Sequence, residues 1–110
     1  MLTLPIKKQW FDMIVSGEKQ EEYRNLTPYY FKRFEKVGLI HGFLPSGKAK
    51  SIVLRNGYGK NRPQIIVLVM LRIDNGKAEW GAEPDKKYFV LDILARSVVL
   101  TGSFVVGGQE

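Results

Sequence analysis

At 110 residues the chain has room for one hydrophobic core, and its hydrophobic, charged and aromatic shares of 45%, 25% and 12% are those of a globular domain, not a disordered one. With no cysteine and a single histidine, His41, there is no disulfide framework, no thiolate zinc site and no histidine-rich metal cluster, and the apolar run from Ile65 to Leu71 is far below the ~20 residues of a membrane span. The net charge of +6 is concentrated: residues 32–62 hold eight basic residues against Glu35 alone, while the remainder holds nine basic and ten acidic residues. A local cationic field of this kind concentrates polyanions through counterion release, and it also suits a merely solvated face. Met1 leads directly into Leu2-Thr3-Leu4 without the basic-then-apolar pattern of a signal peptide, so a cytoplasmic domain with no membrane partner is expected.

Leu2 to Leu4 reads as a short first strand. Pro5 suits a first helical turn, with Ile6, Trp10, Met13 and Ile14 on one helical face and Gly17 as the C-terminal stop. Lys19 to Arg24 is short and polar, as in an edge strand. Thr27-Pro28 predicts a second helix, a hydroxyl N-cap followed by Pro at the first position, with Tyr30, Phe31 and Phe34 as its aromatic face. Ser51 to Arg55 and Ile65 to Ile73 then read as strands. Asp74-Asn75-Gly76 predicts a tight hairpin into Lys77 to Trp80, and Tyr88 to Leu94, Val98 to Leu100 and Phe104 to Val106 predict further strands before a frayed tail at 107–110. The expected class is α+β: a single domain with two N-terminal helices and five to six strands in a small closed or half-closed barrel.

The densest chemistry lies in Gly17-Glu18-Lys19-Gln20-Glu21-Glu22-Tyr23-Arg24. A lysine there can bind phosphate or, if desolvated, act as a nucleophile or base; a carboxylate can accept from a base edge or move a proton; an arginine can grip phosphate or that carboxylate. Strand alternation puts Glu22 and Arg24 on one face and Lys19 on the other, so Lys19 joins them only if the turn after Gly17 rotates it. The same spacing equally suits a solvent-facing strand laced with ion pairs.

Gly17-x-Lys19-x-x-Glu22-x-Arg24 resembles the signature of the ASCH domain, a PUA-like β-barrel family, at all four specified positions. The likeness extends to the Trp10-Phe11 helix before it, the Thr27-Pro28-Tyr29-Tyr30 helix start, the Arg55-Asn56-Gly57-Tyr58 turn, Trp80-Gly81-Ala82-Glu83-Pro84 and Tyr88-Phe89-Val90-Leu91, covering roughly residues 2 to 94. It implies a PUA-like barrel whose motif lines a cleft for RNA or nucleotide-like ligands. One branch of the family hydrolyses the amide of N4-acetylcytidine with the motif lysine, a threonine three positions later and a distant glutamate. Lys19 matches the lysine, but Glu22 stands at the threonine position, and Glu79 is the candidate for the third member. A branch with ribonuclease activity uses lysine, tyrosine and serine outside the motif, and these have no counterpart assigned here.

Arg55, Asn56, Gly57 and Tyr58 bring a guanidinium, an amide and a phenol to a glycine turn, suited to phosphate, a base edge and a stacked ring, or simply to a hairpin turn. Trp10, Tyr29, Tyr30, Tyr58 and Trp80 can stack on unpaired bases; helical spacing assigns Trp10 and Tyr30 to the core, whereas Tyr29 and Tyr58, beside polar turns, are the ligand candidates. His41 has no catalytic partner in its segment, the acidic residues lack metal-ligand spacing, and no cofactor is called for. The expected function is an RNA- or nucleotide-binding module built on Lys19, Glu22, Arg24 and the 55–58 turn. The alternatives are a hydrolase of RNA or a modified nucleoside, with Lys19 and Glu22 catalytic, and a module for an acidic protein partner.

Overall fold

The alternation of buried residues along 64–75, with Ile65, Val67, Val69 and Leu71 facing inward, makes this segment the spine of the sheet. A computed structural model describes residues 1–101. In chain order these form β1 (Thr3–Ile6), α1 (Lys8–Ser16), β2 (Glu21–Arg24), α2 (Pro28–Lys36), β3 (Ile40–His41), β4 (Leu44–Pro45), β5 (Lys50–Asn56), β6 (Gln64–Asn75), a 3₁₀ turn at Ala78–Trp80, and β7 (Lys87–Arg96). Five strands lie in the order β1-β5-β6-β7-β2; β1 runs parallel to β5 and the other pairings are antiparallel. A register shift at Leu68/Val69, which leaves Leu94 unpaired on β7, adds the local twist expected of a bulge. The result is an α+β domain with a curled, mixed five-stranded half-barrel.

The two edge strands, β1 and β2, meet without a backbone ladder. The seam is bridged by a side chain: Arg24 Nη2 donates to the Pro5 carbonyl at 2.9 Å. Phe11 and Ile14 of α1 and Phe34 of α2 join the inward side chains of β1, β5, β6 and β7 in the main core. Tyr23, Tyr88, Val90 and Ala82, with Trp80 packed against them, form a smaller cluster.

Both helix boundaries follow from the expected local chemistry. Gly17 adopts φ 86°, a left-handed conformation that costs glycine no Cβ clash, and its N–H closes α1 on the Ile14 carbonyl. Thr27 Oγ1 accepts from the Tyr30 N–H at 3.3 Å, with Pro28 at the first helical position.

Other expectations are corrected. Pro5 lies in β1, not in a helix; β1 is an edge strand, where a missing N–H is tolerated. Lys77 to Trp80 is not a strand: β6 pairs with β7 from Asn75↔Lys87 onward, and the intervening 76–86 loop carries the 3₁₀ turn. Gly76 is packed so closely that a Cβ there would come within 2.6 Å of Ala82 Cβ and 2.7 Å of the Tyr23 ring. Of Val98 to Leu100, only Leu100 pairs, in a single bridge to Gln64. The β3–β4 hairpin was not expected. The Phe104 to Val106 strand and the 107–110 tail lie outside the described residues. No helix among the described residues is long and apolar enough to cross a membrane.

Candidate functional site: a carboxylate between two cations at the seam

Past Gly17 the chain folds back over the end of α1, with the Lys19 N–H donating to the Met13 carbonyl at 3.0 Å. This is the rotation that brings Lys19 to Glu22. The Lys19 side chain is only 1% exposed. Its ammonium lies 3.1 Å from Glu22 Oε1 and donates to the Trp80 carbonyl at 2.6 Å, over the faces of Tyr23 (4.7 Å to the ring centre) and Trp10 (5.2 Å). Burial holds the Lys19 amine below the ordinary lysine range, opposed by the Glu22 charge. A nucleophilic Lys19 would have to leave both Glu22 and the Trp80 carbonyl.

Arg24 completes the arrangement from the other side. Its Nη1 donates to Glu22 Oε2 and to the Tyr23 carbonyl (2.8 Å), while Nη2 crosses the seam to Pro5. Glu22 is therefore clamped by one cation on each oxygen, and it lines a cleft of about 270 Å³ together with Arg24, Trp10, Tyr30, Tyr58 and Trp80. Lys19 sits behind the carboxylate, away from the cleft surface.

A second depression of about 260 Å³ adjoins the cleft and shares Pro5, Tyr30 and Tyr58 with it. Tyr29, Arg33, Arg55 and Gly57 line this trough. Arg33 stacks its guanidinium over the Tyr29 ring at 4.8 Å. Arg55 donates through Nε to Gln64 Oε1 at 3.3 Å, and its terminal nitrogens have no protein partner among the described residues. Arg62 braces the turn from beneath, its Nε donating to the Asn56 carbonyl at 2.9 Å.

The expected site residues thus divide. Glu22, Arg24 and Tyr58 meet at the cleft; Tyr29, Arg55 and Gly57 line the trough; Asn56 is buried in β5 and contributes its backbone to the turn. Glu79 is exposed in the 3₁₀ turn, and the group from that turn that reaches Lys19 is the Trp80 carbonyl. Trp10, expected in the core, stands in the cleft wall, while Tyr30 does both, packing against the main core and lining the cleft. Arg33, one helical turn from Tyr29 and Tyr30, was findable from that spacing; the Trp80 carbonyl left no mark in the sequence. His41 is exposed on β3, and among the described residues no three metal-ligating side chains gather.

Tyr23, inside the motif, also holds the loop behind the site: its hydroxyl donates to Glu21 Oε1 at 2.8 Å and accepts from the Lys77 N–H at 2.9 Å. Burial, reinforced by Glu21, raises its pKa well above the ordinary tyrosine value of 10.0. A raised phenol pKa means that stability is fully present below pH 10 and falls above it, because the unfolded chain releases the proton first. Chemical denaturation across pH is expected to show Tyr23→Phe about 1–3 kcal/mol less stable at neutral pH and less steeply destabilised above pH 10. Parallel alkaline limbs in the two proteins would assign the loss to other groups.

No family model, curated protein or solved structure matches this chain.

Proposed function

We propose that this domain, PUA-like in fold and ASCH-like in its motif, binds single-stranded RNA by taking one unpaired base into the seam cleft. The observation that carries the reading is the clamped Glu22 carboxylate among aromatic side chains, with an adjoining cationic trough that shares Pro5, Tyr30 and Tyr58 with the cleft. Aromatic faces stack on any base, a fixed carboxylate accepts from a base edge, and Arg33 and Arg55 meet the phosphates that follow. The wider basic character of 32–62 adds attraction without sequence choice. Glu22 is the group that touches the base, whereas Lys19 is a positioning residue.

Fluorescence anisotropy of a short single-stranded RNA across a salt series tests this. Binding should be saturable and weaken with salt, and Arg33→Ala and Arg55→Ala should each reduce the salt slope by about one while weakening binding at every sequence. Absence of saturable binding at low salt overturns the proposal; unchanged slopes in both variants remove the trough from it.

A further inference from the structure

Resting on the base-binding reading, we infer that the cleft selects guanine. A carboxylate has two oxygens and about four acceptor positions. Lys19 pairs by charge with Oε1 and Arg24 takes an acceptor position on Oε2, and no other donor reaches either oxygen among the described residues. Glu22 therefore keeps acceptor capacity on both oxygens at the cleft wall and has no donor to offer.

Exposure sets the direction of approach. The Glu22 side chain is 7% exposed, so a flat ring entering between aromatic side chains meets it with an edge and not a face. The preferred edge carries two adjacent donors at the spacing of the carboxylate oxygens. Among the four RNA bases only guanine has one, its ring N–H beside the exocyclic amino group. Adenine and cytosine place an acceptor nitrogen next to their amino group, which would face a carboxylate oxygen, and uracil flanks its single N–H with two carbonyls. A bidentate pair of this kind discriminates against a wrong base by about ten- to a hundredfold.

The cleft carries its own reporter, because Trp10 and Trp80, the only tryptophans of the chain, both line it. Quenching of their fluorescence by guanosine, inosine, adenosine, cytidine and uridine monophosphates is measured on the full chain, beside a short RNA of mixed sequence. The guanosine nucleotide should bind about tenfold or more tighter than the inosine nucleotide, which keeps the ring N–H and lacks the amino group, and tighter still than the other three. In Glu22→Gln, whose amide sets a donor against a guanine donor, the preference should vanish while the RNA still quenches. The ranking in the unaltered protein stands by itself if that variant folds poorly. Equal binding of all five nucleotides, or a guanine preference that persists in folded Glu22→Gln, overturns the inference and leaves the base-binding cleft in place. Failure of every nucleotide and of the RNA to bind or quench overturns both.

Discussion

Glu22→Ala is expected to lose about 3–5 kcal/mol of folding stability, and to regain part of it as the pH rises. The substitution strands the Lys19 ammonium, 1% exposed in the unaltered protein, facing Arg24 across a gap, with the Trp80 carbonyl as its one remaining acceptor among the described residues. Burial already pulls the Lys19 pKa down, and Glu22 is the main force opposing it. Without Glu22 the folded-state pKa drops further below the ordinary 10.5, so folding must expel the proton or keep a buried charge. Between the two values the unfolded chain holds more protons than the folded one, and stability rises with pH. The recovery belongs to the range below pH 10, above which ionisation of Tyr23 on unfolding works the other way. Urea denaturation of Glu22→Ala at neutral and mildly alkaline pH checks the sign. A double replacement, Lys19→Met with Glu22→Leu, should restore only the part of the loss that comes from the stranded Lys19 ammonium, because Arg24 still loses its carboxylate and keeps only the Tyr23 and Pro5 carbonyls. A variant that loses less than about 1 kcal/mol would show that the pair is open to water, as surface pairs are.

Phe34→Ala should cost a similar amount by a different cause. Phe34 is 0% exposed, edge-on to Phe89 at 5.3 Å and stacked with Tyr30 at 5.9 Å. Removing the ring forfeits its burial and leaves a cavity, about 3–5 kcal/mol for phenylalanine, against a total of about 5–15 kcal/mol for a domain. Because Tyr30 stands both on Phe34 and in the cleft wall, the cavity opens directly beneath the site. Tyr29→Ala, one residue before Tyr30 and 59% exposed, should stay within about 0.5 kcal/mol of the parent in the same denaturation experiment. Equal losses in the two variants would mean that α2 is held by its outer face.

The parts legible in the sequence were those decided within a few residues. A glycine stop and a threonine–proline start set the ends of α1 and α2, and short apolar or β-branched runs marked β5, β6 and β7. The parts that were not legible depend on partners far along the chain. Pro5 suits a helix start as well as an edge strand, and only the pairing of β1 with β5 decides. Asp74-Asn75-Gly76 has the composition of a tight turn, yet Gly76 is needed for its close approach to Tyr23 and Ala82. Within the motif, Lys19, Glu22 and Arg24 were identifiable as a group, but not that Lys19 is sealed behind the carboxylate, because the Trp80 carbonyl and the Trp10 ring that enclose it come from elsewhere.

The open seam also orders the assembly of the site in time. β1 and β2 are the two edges of the half-barrel, and each is held by a strand distant in sequence: Thr3 pairs with Val53, and Glu21 with Asp92. Contacts of such long range form late, after the loop between them has been closed. During synthesis, residues 19–24 leave the ribosome long before 87–96, so the early part of the chain carries the Lys19–Glu22–Arg24 cluster as a charged, unpaired segment. The pocket cannot exist on a nascent chain until β7 has emerged to pair with β2, and a stop between Arg24 and β7 leaves the entire motif in the product without a strand to hold it.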